Sequence, residues 1–335
     1  MPVAKAGASA KGSPRRQPLR DGLYRNRQLY ASVAALIALV VFNALFTPNF
    51  LSMRTLNVNL TQVATIVIVA TGMTLVIATG GIDLSVGALM AISGALAPMI
   101  FMNPSLQSLG IGVALAFILP VIATSVFGLF NGALITRFGI QPIIATLVLF
   151  IAGRGIAQVI TGGNLVTFRN PDFQTIGLGR LFGLPFQVIL MLVIVVAASY
   201  LLQKTVFGRY LLATGGNEAA ARLAGVPVNR VKLAVYTISG ALAGLAGLIA
   251  IAINASSDPN RVGLLMELNA IAAVAVGGTA LTGGRATIIG TLLGALIIQL
   301  IRYTLLVKGV PEATALVVQA AIILLAVYFQ RQQQV

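Results

Sequence analysis

Long apolar runs alternate with short polar stretches along almost the whole chain. Ten such runs occupy about 29–46, 56–79, 84–101, 109–136, 142–161, 186–203, 231–253, 267–282, 287–307 and 312–329. A helix needs about 20 apolar residues to cross the hydrocarbon core of a bilayer, and most of the runs have that length. The eighth is short for a full crossing and reads as broken or re-entrant; a count of eight or nine spans is the competing reading. The pattern predicts an all-α fold, a polytopic transmembrane helical bundle of about ten spans.

The largest polar interruption is 204–232. It carries five basic residues, Lys204, Arg209, Arg222, Arg230 and Lys232, and one acid, Glu218. Within it, the stretch from Asn217 to Gly225 reads as a short helix. Asn217 can cap it, Ala and Arg favour it, and Gly225 followed by Pro227 stops it. Such a helix is either a docking element for a soluble partner or an ordinary helical loop. Residues 1–28 are polar, basic and rich in Gly, Pro and Ser, and are expected to form a disordered tail. The run at 29–46 is too long for the core of a cleaved signal peptide and is expected to remain as a span. A single transmembrane domain over 29–330, interrupted by the 204–232 loop, follows the tail.

Composition agrees with a membrane protein. Of 335 residues, 58% are apolar and 9% charged, against about a quarter charged in soluble domains. The net charge of +15 would suggest nucleic acid in a soluble protein. Here the positive-inside bias accounts for it, and no nucleic-acid partner is expected. With both termini cytoplasmic, that side holds 15 Lys and Arg and the other side six, with Arg154 inside a span. This count puts the tail and the 204–232 loop in the cytoplasm. The longest outer loop, about 162–185, is a candidate surface for an external partner.

The chain has no Cys and no His. That excludes disulfides, thiolate chemistry and His-based acid–base catalysis, and leaves no usual structural zinc ligands. No metal site and no catalytic constellation is expected. The seven acids are Asp21, Asp83, Asp172, Glu218, Asp258, Glu267 and Glu312. Most fall at span ends, which argues against a proton-coupled carrier. There is no Walker A loop, so ATP-driven transport would need another chain to bind the nucleotide.

The stretch Thr79–Gly87, TGGIDLSVG, joins spans two and three. Gly80 and Gly81 permit a turn, and Asp83 either caps the next helix or serves a gating or substrate role. Gly283, Gly284 and Gly290 repeat the spacing of Gly80, Gly81 and Gly87, a trace of internal duplication on the same side. Gly277 and Gly278 are further structural glycines. Gly240, Gly244 and Gly247 are small-residue steps for close helix packing. Arg154 and Gln158 share a helix face. Arg154 either snorkels or faces a partner or wet cavity. Asn131, Gln141, Thr146, Asn269 and Gln299 are further polar positions within or beside spans, each a helix–helix hydrogen bond or a pathway contact.

TGGIDLSVGA at 79–88, GRG-x-AQ at 153–158, TGGNLVTF at 161–168 and ELNAIAAVAVGGTALTGGR at 267–285 resemble the membrane permeases of bacterial binding-protein-dependent ABC sugar importers. The ribose/xylose/galactoside branch is nearest, and within it the galactofuranose-importer permeases. The resemblance covers nearly everything after residue 29. It implies a multi-pass subunit of the bacterial inner membrane, in contact with lipid, that supplies half of an alternating-access pathway for a monosaccharide. The other half is a second copy or a paralogue. A cytoplasmic ATPase holds the ATP and Mg, and a periplasmic sugar-binding protein delivers cargo; this chain itself binds no cofactor. The resemblance places the coupling helix at 217–225, so Gly215, Asn217, Glu218, Ala220, Arg222 and Gly225 are the ATPase-coupling candidates. Asp83, Asn131, Gln141, Arg154, Gln158, Glu267 and Asn269 are the pathway or gating candidates. Asn269 stands where many relatives are expected to carry an acid, and Ala286 where Gly is frequent. The alternatives are a permease for nucleosides or branched-chain amino acids, or a stand-alone secondary carrier.

Overall fold

The computed structural model describes residues 27–318, together with 320, 321 and 324. The tail expected over 1–28 lies outside them except for its last two positions, which begin the first helix. In chain order the helices are α1 (Arg27–Phe46), α2 (Met53–Ala78), α3 (Val86–Phe101), α4 (Pro104–Ser108), α5 (Gly112–Arg137), α6 (Pro142–Thr161) and α7 (Pro171–Leu178). There follow α8 (Phe186–Lys204), α9 (Val206–Gly216), α10 (Glu218–Leu223), α11 (Val228–Asn254), α12 (Met266–Val276) and α13 (Ile288–Val307).

Seven of these, α1, α2, α5, α6, α8, α11 and α13, are long and apolar enough to cross a membrane. The chain is a multi-pass membrane protein. Two more predicted spans are shorter apolar helices, α3 with 16 residues and α12 with 11. At 1.5 Å per residue they reach about 24 Å and about 17 Å, less than the roughly 30 Å of bilayer hydrocarbon. The eighth predicted run therefore breaks, as its length suggested: α12 stops at Val276 and a non-helical segment follows to Thr287. The tenth run is helical over 312–318, and most of the rest of it lies outside the described residues.

Helix α2 is the central pillar. Its first turns are polar, but from Val63 to Ala78 it is largely apolar on every face and buried throughout. Helices α8, α11, α12 and α13 pack around it. The hydroxyls of its buried stretch bond back to the helix, and one also crosses to α13. Thr71 donates to the Val67 carbonyl, and the Thr74 and Thr291 hydroxyls lie 2.8 Å apart. The small-residue steps of α11 bring backbones together. A Cβ on Gly240 would lie 2.3 Å from the Thr124 carbonyl oxygen, and one on Gly247 would lie 2.2 Å from Ser93 Oγ. Close packing of this kind replaces the hydrophobic drive that is missing between helices in lipid.

Two segments read from sequence as loops contain helix. The 204–232 stretch holds α9 as well as α10, and the 162–185 stretch holds α7. Phe173 of α7 is fully buried against Phe101, Phe117 and Phe168. Two-residue strands complete the region: β1 (Val166–Thr167) pairs antiparallel with β4 (Ser256–Ser257), and β2 (Arg180–Leu181) with β3 (Leu184–Pro185). Local pattern missed α7 because its apolar residues are few and its stability comes from the aromatic cluster. The end of the bundle that holds 204–232 is called the lower end below, and the opposite end the upper.

Candidate functional site

The segment after α2 does not leave the bundle at once. Gly80 and Gly81 turn the chain, and residues 82–85 run back inside before α3 begins at Val86. Asp83 is 0% exposed. Its Oδ1 accepts from the Ser85 N–H at 3.0 Å and the Ser85 hydroxyl at 2.6 Å, and its Oδ2 accepts from the Ser239 hydroxyl at 2.8 Å. Asn131 donates its Nδ2 to Ser85 Oγ, and the Leu84 N–H donates to Thr146 Oγ1. Thus α3, α5, α6 and α11 are tied to one short segment. The capping expectation for Asp83 needs correction. Ser85 occupies the cap position without a side-chain cap bond, and Asp83 sits two residues earlier, where it grips α11 as well as its own turn.

The site lies inside the bundle. Gly72, opposite Ser239, is six residues before the end of α2, which is about 9 Å of helix. Slightly higher, the N-termini of α3 and α12 meet. A Cβ on Gly87 would lie 2.3 Å from the Gly263 carbonyl oxygen and 2.5 Å from Glu267 Oε2. From that meeting point α3 runs to the upper end and α12 to the lower. Glu267 is 4% exposed, and its Oε2 has no hydrogen-bond partner. Arg154 neither snorkels nor points at open space. Its Nη1 donates to the carbonyls of Pro259 at 2.8 Å and Val262 at 2.6 Å, while Gln158 donates to Asn260 Oδ1 at 2.7 Å. One face of α6 thereby holds the loop that feeds α12.

At the lower end three glycine turns converge. A Cβ on Gly215 would lie 1.9 Å from the Ala78 carbonyl oxygen and 2.6 Å from the Gly284 nitrogen. The Gly284 N–H donates to the same Ala78 carbonyl, and Gly283 lies against Gly80. The two stretches with matching glycine spacing therefore touch, and the chain leading into α10 is wedged between them. Gly277, at the end of α12, packs on Gly290 of α13, and Gly278 follows it in the turn.

Helix α10 begins where expected. Asn217 Oδ1 accepts from the Ala220 N–H at 3.0 Å, and Gly225 at φ +78° ends it. Glu218 receives Arg222 at 2.8 Å and Lys232 at 2.6 Å, and Arg222 also donates to Asn229. Partial burial pushes the Glu218 carboxyl up, but hydrogen bonds and charge from Lys232 and Arg222 outweigh it and hold the group below the usual glutamate range. Ala220 is exposed on this helix. Beside it, Leu223 is 91% exposed, an apolar tip that sequence reading passed over. Two predicted pathway residues stand apart from the Asp83 group. Gln141 is exposed at the start of α6, and Asn269 is half-buried on α12. Conversely, Ser85, Ser239 and Tyr236 belong to the buried group and were not singled out. Ser85 lies within TGGIDLSVG, whereas Ser239 and Tyr236 offer no local signal.

The chain is thus a bundle of membrane-length apolar helices in which two shorter apolar helices meet at their N-termini inside the bundle. The chain belongs to the family described as branched-chain amino acid transport system / permease component, which matches residues 56–327. It is 40% identical over 307 residues to the ribose import permease protein RbsC of Escherichia coli (strain K12), covering 90% of this chain and 94% of that protein. It is 41% identical over 280 residues to the galactofuranose transporter permease protein YtfT of the same organism, covering 82% and 79%. The L-arabinose ABC transporter permease protein AraH of Azospirillum brasilense is 34% identical over 315 residues, covering 94% and 91%. No solved structure matches the chain.

Proposed function

We propose that this chain is the permease subunit of an ATP-driven ABC importer for a monosaccharide. The observation that carries the reading is the end-to-end likeness to permeases named for ribose, galactofuranose and arabinose. In this reading the lower end is cytoplasmic, in the inner membrane of a bacterium. Helix α10 docks on an ATPase subunit that holds the ATP and Mg. A second permease, identical or paralogous, completes the pathway. A periplasmic sugar-binding protein docks on the upper end, where 162–185 lies.

The geometry supports a mechanical route for alternating access. Force on α10 passes through Gly215 and Gly216 to the turns at Gly80 and Gly283. Those turns carry α3 and α12, whose N-termini meet beside Glu267. Movement of one half-helix against the other opens or closes the centre, with Asp83 and its serines as the lower hinge and the Arg154 clamp as the upper. The family description favours a second reading, a branched-chain amino acid as cargo. Against it, the Arg154 guanidinium, the cation expected to meet a carboxylate, donates to two backbone carbonyls.

The test is purification from native membranes in mild detergent. An ATPase is expected to accompany the natural chain and to be lost when 217–225 is replaced by a Gly/Ser linker. Retention of the ATPase by the linker variant would remove the docking role of α10. Absence of any ATPase from the natural chain would point to a stand-alone carrier. Uptake of an amino acid and of no sugar by the reconstituted complex would overturn the cargo.

A further inference from the structure

A cavity of about 500 Å³ opens at the upper end between the start of α2, the end of α7 and the segment leading into α8. Small-molecule sites span about 300–1,000 Å³, so its volume suits a single monosaccharide. Its wall carries Asn57, Thr61, Gln62 and Gln187 with two arginines, Arg54 and Arg180, and no acid. Val58 and Ile253 add an apolar side.

The informative group is Gln187. It is 1% exposed. Its Nε2 donates to Thr61 Oγ1 at 3.0 Å, but its Oε1 is buried without any partner. Behind it, Gln299 donates to Gln62 Oε1 at 2.7 Å, and the Oε1 of Gln299 is likewise buried and unmet. An unmet buried amide oxygen has lost its hydration without replacement and calls for an explanation. The unmet oxygen of Gln187 belongs to a residue of the cavity wall, whereas Gln299 lies outside that wall, so it is Gln187 that makes the demand for a hydrogen-bond donor there. A carboxylate offers no donor to that oxygen. A neutral polyol offers several. Its hydroxyl oxygens can in turn accept from Arg54 and Arg180, neither of which forms an ion pair among the described residues.

We propose that this cavity is a low-affinity receiving site for a neutral sugar, entered before the central half-helices. The inference rests on the sugar-importer reading and adds the place where cargo first meets the permease. Gln187 and Gln62 supply its polar floor, Arg54 and Arg180 its donor rim, and the apolar side faces the C–H surface of the ring.

The chain has no cysteine, which gives a direct probe. In the complete complex reconstituted in vesicles, Asn57→Cys is labelled by a water-soluble maleimide with and without millimolar ribose, galactose, fructose or arabinose. The sugar that the complex imports is expected to slow labelling, and a sugar that it does not import is expected to leave it unchanged. In parallel, Gln187→Leu is expected to raise the KM for import about fivefold, the size of one lost hydrogen bond, with little change in kcat. Arg180→Gln, a surface change, gives a second variant if the leucine disturbs folding, and is expected to shift KM in the same direction. Import of a sugar with no protection at residue 57 and an unchanged KM in both variants overturns the receiving site and leaves the importer reading standing. Protection by gluconate but not by the imported neutral sugar also overturns it, since that is an anion site. A complex that imports none of the sugars defeats the importer reading and this inference with it.

Discussion

Asp83 and Glu218 are both carboxylates beside the turns that join helices, yet the protein treats them in opposite ways. Asp83 is fully buried and held by one N–H and two hydroxyls, with no cation among those bonds. Glu218 is 41% exposed at its side chain and gripped by Arg222 and Lys232. The inner acid is built for position. Its removal would take the acceptor from the Ser85 N–H and from the Ser85 and Ser239 O–H groups inside the bundle. The outer acid works in water, where ion pairs contribute little to stability and can be exchanged for contacts with a partner. The contrast separates a buried polar centre from an exposed, ion-paired helix, the one proposed above to dock.

The largest expected effect tests the inner member. Asp83→Leu strands the hydroxyls of Ser85 and Ser239 and should destabilise the chain by about 3 kcal/mol or more, read as a lower unfolding midpoint in detergent. Asp83→Asn, which keeps acceptor capacity, should cost clearly less; equal loss in both would mean that charge rather than hydrogen bonding is what matters. Next comes the connection between the two regions. Gly215→Val forces a side chain into the Ala78 carbonyl and should cost about 1–3 kcal/mol, with ATPase activity no longer responding to cargo. Normal cargo-stimulated ATPase activity in that variant would break the mechanical link between α10 and the glycine turns.

Arg154→Met removes two hydrogen bonds to the loop before α12 and is expected to cost about 2 kcal/mol. Hydrogen exchange should then rise at 258–264 and remain unchanged at α10. At α10, Asn217→Ala loses a cap worth about 1 kcal/mol and, if the proposed docking role holds, should weaken retention of the ATPase more than it lowers overall stability. The smallest effect belongs to Glu218→Gln, below about 0.5 kcal/mol. Because the Glu218 carboxyl is held below its ordinary value, its contribution is complete above the usual glutamate pKa. It is lost only as the pH falls through the lowered value, and is flat across neutral pH. ATPase retention compared between the natural chain and Glu218→Gln over an acid titration should converge at the acid end. A difference that grows on acidification would reverse the assignment.

Much of the fold was legible because lipid imposes a simple rule: backbone polar groups must be satisfied locally, so apolar runs of bilayer length become helices. The shortness of 267–282 likewise announced a broken span. The start of α10 was legible from Asn217 and its stop from Gly225, since caps and left-handed turns are local chemistry. The candidate site was legible in fragments. Asp83, Asn131 and Arg154 stand out as polar groups in apolar surroundings, and Glu267 enters through the resemblance of 267–285. Ser239 and Tyr236, which complete the Asp83 cluster with α11, look like any polar residue in a transmembrane helix.

The sequence by itself determined a polytopic helical membrane protein, a basic loop with a capped helix, and the absence of thiol or imidazole chemistry. These follow from composition and from interactions only a few residues apart. Only the tertiary structure decided that Gly80, Gly215 and Gly283 meet, that Arg154 holds the carbonyls of Pro259 and Val262, and that α3 and α12 share a meeting point inside the bundle. The reason is physical. Helix packing in lipid depends on close approach at small residues, and on hydrogen bonds between positions often more than a hundred residues apart. No local pattern encodes which glycine faces which carbonyl.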